Sequence, residues 1–377
     1  MHYLDNGATT PLCEEVRTAL CEGMGQFGNP SSLHGLGLAA QLQFEEDAKT
    51  VAAALGGDAR GRLLFTSGGT EANNLCLQGA ARALRRRGDK LLVSAVEHAS
   101  VLDTAKSLEK EGFTVEYLPP ESLTPEGVAQ RVDSRTILVS IMYMNNETGN
   151  LYPVTDIAKA VKRKAPQALF HSDMVQSFLK APVKLKNSGI DFASVSGHKL
   201  HAPKGIGALY MAPGTRLHPL FYGGGQQGKT RPGTESTLLA HGFAAAVKAA
   251  QASQEQSAQH AAALNRLLHE QLQGVEPVMF NTQGEASPYT VNLSVPGIRS
   301  ETMLHFLEAR GVYVSSGSAC AGGALSHVLA AYGLPAERID SALRVSFSRM
   351  NTEEDVLALT QGIKDGIASL ARKGRKA

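Results

Sequence analysis

Short apolar segments alternate with longer segments of helical periodicity through the first two thirds of the chain. Each apolar segment is short and is followed by glycine or polar residues, which is typical of buried strands. We predict strands at residues 63–65, 90–96, 137–142, 168–171 and 190–195. Helical patterns at residues 36–55, 72–87 and 101–110 accompany them. This alternation predicts an α/β fold.

The last third of the chain follows a different pattern. An alanine-rich helical segment at residues 236–272 leads into it, and shorter strands and helices then alternate. We predict strands at 289–295, 312–315 and 343–347, and helices at 301–310, 324–332 and 353–371. Because 377 residues exceed one comfortable hydrophobic core, two domains are expected. We place a large domain at residues 15–250 and a small α+β domain at residues 1–14 and 251–377.

Composition and charge exclude several classes of function. The chain is 43% hydrophobic and 19% charged with a formal charge of +2, so it offers no electrostatic reason for direct binding to nucleic acid or a membrane. No apolar run is long enough to span a bilayer, and the N-terminus lacks the pattern of an export signal. The four cysteines form no CxxC pair and have no metal-ligand spacing. We therefore expect a cytoplasmic protein with reduced thiols and no metal.

A lysine stands at the end of the strand predicted at 190–195, in the sequence Ser196-Gly197-His198-Lys199. A lysine amine at the end of a buried strand is costly unless it has a partner or a chemical task. Away from water its pKa falls, and the amine can form a Schiff base with an aldehyde cofactor. The pattern indicates pyridoxal phosphate on Lys199, with Ser196 and His198 near the phosphate. A solvated lysine after a strand is the alternative interpretation.

The turn after residues 63–65 has the composition of a phosphate site. It contains Gly68, Gly69 and Thr70 and leads into a helix. Unpaired N–H groups at a helix N-terminus attract phosphate, Gly69 permits close backbone approach, and the Thr70 hydroxyl adds a donor. An ordinary capped turn between a strand and a helix would use the same residues.

Polar side chains follow three further strands. The carboxylate of Asp173 can pair with a pyridinium nitrogen and strengthen the cofactor as an electron sink, and Gln176 falls on the same face of the following turn. His98 lies at the carboxyl edge of the predicted sheet, where open α/β sheets bind ligands. Asn146 can donate a hydrogen bond to a substrate or to the ring. A helix cap, a structural histidine and a turn former are the alternatives for these positions.

Three features in the C-terminal half of the chain suggest functional residues. Cys320 lies among Ser, Gly and Ala residues, whereas buried cysteines normally have larger apolar neighbours, so we predict a thiol on a flexible loop. Arg344 stands within a predicted strand and suits a bidentate grip on a carboxylate, although a surface position on an edge strand is equally consistent. The glycine-rich segment 221–235, which contains Thr234, indicates a mobile surface loop or a backbone approach to an anion or a second subunit.

Taken in order, the motifs of this chain resemble those of the cysteine desulfurases of the NifS/IscS type. The motifs are YLDNGATTP, FGNPSSLHG, FTSGGTEANN, VEHASV, NNETG, HSDMVQS, SGHKLHAPKGIG, RPGTES, SSGSAC and LRVSFSR. They extend from residue 3 to about residue 349. The resemblance implies the class V aminotransferase-like form of the PLP-dependent transferase fold type I, which is similar to aspartate aminotransferase. Such a fold has a large domain with a mixed sheet that binds pyridoxal phosphate (PLP) and a smaller α+β domain.

The resemblance also implies how the cofactor is held. Lys199 would carry PLP, and His98 would stack on its ring as an acid–base group. Asp173 would pair with the ring nitrogen and Gln176 with the ring hydroxyl. The residues implied to contact the phosphate are Gly69, Thr70, Ser196, His198 and, from the other subunit of a homodimer, Thr234.

The reaction implied by the resemblance is the removal of sulfur from L-cysteine. Asn146 and Arg344 would hold the substrate, Cys320 would receive the sulfur as a persulfide, and L-alanine would leave. The persulfide would pass to an acceptor protein, such as an iron–sulfur scaffold or a tRNA-thiolation enzyme. Two other hypotheses are an aminotransferase or selenocysteine lyase in which Cys320 is incidental, and a non-catalytic partner with a remnant fold. The presence of Lys199, Asp173 and Cys320 argues against the remnant.

Overall fold

The computed structural model describes residues 1–316 and 325–370. The strands, in chain order, are β1 His2–Tyr3, β2 Arg62–Thr66, β3 Lys90–Ser94, β4 Thr114–Leu118, β5 Thr136–Ser140, β6 Leu169–Asp173, β7 Phe192–Ser196, β8 Gly207–Met211, β9 Met279–Phe280, β10 Thr290–Ser294, β11 Val312–Tyr313, β12 Ser315–Ser316 and β13 Ala342–Ser346. The α-helices are α1 Glu14–Gly23, α2 Gly35–Ala54, α3 Gly69–Leu84, α4 Ala99–Lys110, α5 Pro125–Arg131, α6 Val154–Lys164, α7 Thr237–Ala252, α8 Gln254–Leu272, α9 Ser300–Glu308, α10 His327–Ala331, α11 Ala336–Asp340 and α12 Glu353–Ser369.

Contacts between Cα atoms divide the chain into two units. The larger unit contains Pro11–Tyr143 and Tyr152–Ala252, and the smaller unit contains Met1–Thr10, Met144–Leu151 and the described residues from Ser253 onward. The smaller unit therefore includes a short segment that lies between strands of the larger one in the sequence. The domain boundaries expected from the sequence, 15–250 against 1–14 and 251–377, stay a prediction.

The larger unit is built on a seven-stranded sheet with the order β2-β8-β7-β6-β5-β3-β4. Neighbouring strands from β7 to β4 are parallel, whereas β8 is antiparallel to both β7 and β2. Every residue of β5, β7 and β8 is buried, as expected for strands covered on both faces. The large mixed sheet predicted for this fold class is confirmed.

Helices complete the larger unit. The helix α3 buries an almost continuous apolar face, which includes Leu75, Leu77 and Ala80, in a core shared with residues of β3, β5 and β8. The helices α1 and α2 both pack on α7. Burial of this apolar surface contributes roughly 25 cal/mol per Å² to the free energy of folding. The packed helices hold in place the strand ends that carry the candidate site.

The smaller unit has its own sheet and core. Its four-stranded sheet has the order β12-β13-β10-β9, with antiparallel pairs throughout, and β1 pairs in parallel with β11. The helices α8 and α9 pack on α12. Leu293 of β10, Val345 of β13 and Leu264 of α8 meet in one core.

Three predicted elements differ from those observed. The helix predicted at 236–272 is two helices that meet at Ser253, a residue whose backbone leaves the helical region. The strand predicted at 312–315 is divided between β11 and β12, which pair with different partners. The helix predicted at 324–332 is the shorter α10, which begins after Ser326 because the Ser326 hydroxyl caps it.

Candidate active site

Several strands of the larger unit end at one edge of its sheet. The strands β6 and β7 are parallel neighbours, and β2 runs in the same direction as β7 because both are antiparallel to β8. The carboxyl ends of β2, β3, β6 and β7 therefore share an edge. The predicted site residues that lie in or follow these strand ends are Gly69, Thr70, His98, Asp173, Gln176, Ser196, His198 and Lys199.

The N-terminus of α3 lies beside the end of β7, since a Cβ atom at Gly69 would be 3.6 Å from Ser196 Cβ. Gly68 precedes the helix and provides no side-chain cap, so the first N–H groups of α3 need another acceptor. A Cβ atom on Gly207 would lie only 2.6 Å from the carbonyl carbon of Gly68, so this approach of two backbones requires glycine. The Ser196 hydroxyl is buried and has no hydrogen-bond partner within residues 1–316 and 325–370. Helix N–H groups and an orphaned hydroxyl together fit a phosphate.

Lys199 and His198 follow β7 in a single 3₁₀ turn, Gly197–Lys199. Both side chains are half-buried. Burial, and after it the positive charges of Lys199 and Lys204, lower the pKa of His198 to about 4. A neutral His198 can donate a hydrogen bond to a phosphate without adding charge to the site.

Asp173 is held by hydrogen bonds at both carboxylate oxygens. Its Oδ1 accepts from the backbone N–H of Val175 at 2.9 Å, and its Oδ2 accepts from Asn73 Nδ2 at 2.7 Å. Asn73 Nδ2 also donates to Ser100 Oγ at 2.9 Å. Asn73 is 1% exposed and Asp173 5% exposed, so this arrangement fixes the carboxylate in a site of low polarity.

Asn73 was not predicted as a site residue, although its position in the sequence contains a signal. Asparagine favours caps and turns over helix interiors, yet Asn73 and Asn74 lie inside α3. A buried asparagine in such a position needs polar partners, and the structure provides them in Ser100 and Asp173.

A second carboxyl group, that of Glu97, lies buried near Asp173. Burial, and after it the negative charge of Asp173, raise the pKa of Glu97 well above its usual range. Its Oε1 accepts a hydrogen bond from the backbone N–H of Met142 at 2.5 Å. Because the charge of Asp173 acts on Glu97, the Glu97 carboxyl lies close to this part of the candidate site, although it was not predicted.

Two histidines of this edge have different environments. His98 is exposed and forms the N-cap of α4, where its Nδ1 accepts from the backbone N–H of Ser100 at 3.1 Å. His171 is fully buried, with Nδ1 2.8 Å from Ser140 Oγ and Nε2 3.0 Å from Ser194 Oγ. Burial lowers the pKa of His171 to about 3, so the ring is neutral and structural. The accessible ring of His98 is the one suited to contact a cofactor.

The glycine-rich segment that contains Thr234 is held by hydrogen bonds to other parts of the larger unit. Gln227 exchanges two hydrogen bonds with the backbone of Phe65, with distances of 2.7 and 2.9 Å. Arg231 Nε donates to Glu71 Oε1 at 2.9 Å. Thr234 itself is exposed. These contacts oppose the interpretation of residues 221–235 as a mobile surface loop, and the role expected for Thr234 in a second subunit stays a prediction.

Arg344 and Asn146 come together in the smaller unit. Arg344 lies on β13 between β12 and β10 and is 6% exposed, so the alternative of a surface position on an edge strand is wrong. Its Nη1 donates to the backbone carbonyl of Asn146 at 3.0 Å, and its Nη2 donates to Asp5 Oδ1 at 2.8 Å. Arg344 Nε and Asn146 Oδ1 are buried without a partner in the part of the chain that the structure describes. An orphaned donor and an orphaned acceptor fit a ligand with both kinds of group, such as an amino acid.

The cysteines divide into buried, exposed and undescribed residues. Cys13 and Cys76 are buried, Cys21 is exposed, and none of these three forms a disulfide. Burial raises the pKa of Cys76 well above its usual range, so its thiol is inert. The predicted sulfur acceptor, Cys320, lies outside the described residues.

The described part of the chain has neither a metal-binding cluster nor a helix that could span a membrane. No three His, Cys, Asp or Glu side chains within residues 1–316 and 325–370 form a group that could hold a metal ion. No helix in the same ranges has the length and apolar character needed to cross a membrane.

Comparison with known proteins gives consistent matches over nearly the whole chain. The model of the aminotransferase class-V family matches residues 2–359. The chain is 40% identical over 363 residues to the cysteine desulfurase IscS of Methanosarcina thermophila, a match that covers 94% of this chain and 89% of the relative. It is 37% identical over 378 residues to the putative cysteine desulfurase IscS 1 of Bacillus subtilis, with 98% and 99% covered. Among solved structures, a NifS-like protein superposes with a TM-score of 0.91 at 35% identity and covers 98% of this chain and 99% of that one.

Proposed function

Because the chain belongs to the aminotransferase class-V family, we propose that it is a PLP-dependent cysteine desulfurase. It removes sulfur from L-cysteine, releases L-alanine and passes the sulfur to an acceptor. Its similarity to cysteine desulfurases of the IscS and NifS types confirms the resemblance inferred from the motifs. The observation that carries the proposal is the convergence of a lysine, a buried carboxylate and an orphaned hydroxyl at one sheet edge in a chain with these relatives.

The residues of the larger unit fit the cofactor. Lys199 would bind its aldehyde carbon, Asp173 would hold a proton on its ring nitrogen, and Gln176 would contact its ring hydroxyl. His98, which is exposed, would stack on the ring. The groups proposed to hold the phosphate are the N–H groups of Gly69 and Thr70, the Thr70 hydroxyl, Ser196 and His198. When bound, PLP supplies an electron sink that makes the Cα proton of an attached amino acid acidic.

The protein's own groups then move the protons and the sulfur. Lys199 Nζ takes the proton from Cα of the bound L-cysteine, and His98 serves as a second acid–base group. Asn146 and Arg344 hold the substrate, with Arg344 on its carboxylate. The thiolate of Cys320 attacks the substrate sulfur, so an S–S bond forms while the substrate Cβ–S bond breaks. The electron pair of that bond stays with Cβ, which gains a proton, and L-alanine leaves.

A homodimer is the proposed working form. Exposed hydrophobic side chains are concentrated in the segment between α1 and α2 and in the first turns of α2: Met24, Phe27, Leu33, Leu36, Leu38 and Leu42. Leu38 and Leu42 are four residues apart on α2 and share a face. Such a concentration of exposed apolar groups favours a protein partner, and Thr234 of the second subunit would complete the phosphate site.

The cytoplasm is the proposed compartment. Cys13, Cys21 and Cys76 form no disulfide, which fits a reducing environment. The acceptor is proposed to be a protein, either an iron–sulfur scaffold or a tRNA-thiolation enzyme.

The test uses the purified holoprotein and L-cysteine. We expect a visible absorption band from bound PLP and the release of one L-alanine for each sulfur transferred. The Cys320→Ala variant should keep the band and its change on addition of L-cysteine, but lose alanine and sulfide production. Cys21→Ala is the matched control, because Cys21 is also a cysteine but is exposed on α1, and it should retain activity. Undiminished alanine production by Cys320→Ala would refute the role of Cys320 and favour the lyase alternative in which this residue is incidental, whereas an oxo acid in place of alanine would favour the aminotransferase.

A further inference from the structure

We propose that Asp5 and Gly7 fix the guanidinium of Arg344 in the orientation that binds the carboxylate of L-cysteine, which makes Asp5 a positioning residue. The inference rests on the proposed function, since it takes Arg344 as the residue that binds the substrate carboxylate. All the residues involved belong to the smaller unit.

The hydrogen bonds of Arg344 leave a defined part of the guanidinium for a ligand. Asp5 Oδ1 accepts from Nη2 at 2.8 Å, and the carbonyl of Asn146 accepts from Nη1 at 3.0 Å. The Nε atom is buried and has no partner among the described residues. A buried guanidinium has lost its hydration, so an N–H group without an acceptor is costly unless a ligand satisfies it. A carboxylate is the ligand that matches this planar cation.

The backbone that carries Asp5 is attached to the same strand as Arg344. Ser346 lies two residues beyond Arg344, on the same face of β13. Its backbone N–H donates to the carbonyl of Leu4 at 2.7 Å, and its hydroxyl accepts from the backbone N–H of Gly7 at 2.6 Å. The position of Asp5 relative to Arg344 is therefore set by contacts on both sides of Asp5.

Gly7 lies against the guanidinium itself. A Cβ atom at this position would be 3.3 Å from both Cζ and Nε of Arg344 and 3.1 Å from Ser346 Oγ. These separations are shorter than ordinary van der Waals contact, so a methyl group would displace the guanidinium. The absence of a side chain at Gly7 therefore leaves room for the guanidinium in its present orientation.

The charge of Asp5 and its hydrogen bond act on substrate binding in opposite directions. The negative charge partly cancels the attraction of Arg344 for a carboxylate, whereas the hydrogen bond holds the guanidinium in place. A positioning role therefore requires that the acceptor oxygen matter more than the charge. The variants Asp5→Ala and Asp5→Asn separate these contributions, because only Asp5→Asn retains an oxygen acceptor.

The experiment measures KM and kcat for L-cysteine and the dissociation constant of L-alanine, which is read from the visible spectrum without turnover. For Asp5→Ala we expect KM and the L-alanine dissociation constant to rise about tenfold, the effect of losing one hydrogen bond to a charged group, with kcat changed less than about threefold. Asp5→Asn should restore both values to within about threefold of the original protein, since its amide oxygen can accept from Nη2. The matched control is Asp58→Ala, which removes the ion pair between Asp58 and the exposed Arg60 in the larger unit and should leave both values unchanged.

The results of these measurements separate a failure of the positioning inference from a failure of the proposed function. Unchanged KM and L-alanine affinity in Asp5→Ala would overturn the inference, and so would a parallel loss of kcat, PLP content and thermal stability with KM intact. If Asp5→Ala does not fold, Gly7→Ala tests the inference instead, because a methyl group at residue 7 would crowd the guanidinium of Arg344. An L-alanine dissociation constant of Gly7→Ala equal to that of the original protein would contradict the inference. A protein that releases no L-alanine from L-cysteine would refute the proposed function, while its affinity for L-alanine would still test the positioning of Arg344.

Discussion

The contact between Asn73 and Asp173 offers a direct test of how the site is supported. Replacement of Asn73 by alanine removes the 2.7 Å hydrogen bond to the Asp173 carboxylate and the 2.9 Å hydrogen bond to Ser100 Oγ. A hydrogen bond to a charged group contributes about 1.5–3 kcal/mol and one between neutral groups about 0.5–1.5 kcal/mol. Because the site is buried, water does not replace the lost donor. We therefore expect the free energy of unfolding to fall by about 2–4 kcal/mol.

The assay is urea unfolding of the protein without PLP, followed by circular dichroism. Asn74→Ala is the matched control, because Asn74 occupies the next position of α3 and its amide bonds within that helix, donating to the Thr70 carbonyl and accepting from Gln78 Nε2. Its unfolding free energy should change by no more than about 0.5 kcal/mol. We also expect PLP to bind about tenfold more weakly to Asn73→Ala, since Asp173 loses its orientation. Equal urea midpoints and equal PLP affinities for the two variants would refute the supporting role of Asn73.

Three further predictions concern the cofactor lysine, the second subunit and a buried histidine. Borohydride reduction and peptide mapping should place the cofactor on Lys199, and a label on Lys204 would contradict this assignment. Mixing Lys199→Ala chains with Thr234→Ala chains should create one intact site in each hybrid dimer and restore activity, whereas a fully active monomer in light scattering would exclude a shared site. The pKa of His171 falls from 6.5 to about 3 on folding, so the unfolded chain binds more protons between these values, and stability should decrease by about 1.4 kcal/mol per unit as the pH falls below 6.5. Urea midpoints between pH 7 and 4 should therefore depend less on pH in His171→Gln, and an unchanged slope would disprove this attribution.

The local pattern predicted the main strands of the larger unit because each is a buried apolar run. The predicted segments 137–142 and 190–195 coincide with β5 and β7 to within a few residues. The strands β4 and β8 were not predicted. In β4, residues Thr114–Leu118 are mostly only partly buried, so the apolar signal is weak. The strand β8 begins at Gly207, the last residue of the motif SGHKLHAPKGIG, and glycine is depleted in strands.

The partners of the site residues depend on contacts that no local pattern contains. Arg344 was equally consistent with a surface position because its neighbours in the sheet, Asn292 and Ser315, are assigned only by strand pairing. Asp5 is 339 positions away from Arg344. The residue type of Arg344 suggested a group that binds a carboxylate, but the sequence around it could not indicate that Asp5 is its hydrogen-bond partner.

The smaller unit consists of three separate segments of the chain, which affects the order of folding during synthesis. All residues of the larger unit have been translated once Ala252 is added, whereas the smaller unit needs Met1–Thr10, Met144–Leu151 and the segment after Ser253. Domains generally fold as units as the chain leaves the ribosome, and contacts between distant parts of a sequence form slowly. The segment Met1–Thr10 must therefore wait for β13 before Asp5 can meet Arg344. The candidate cofactor site can form early on the nascent chain, and the proposed carboxylate-binding site around Arg344 is among the last parts to form.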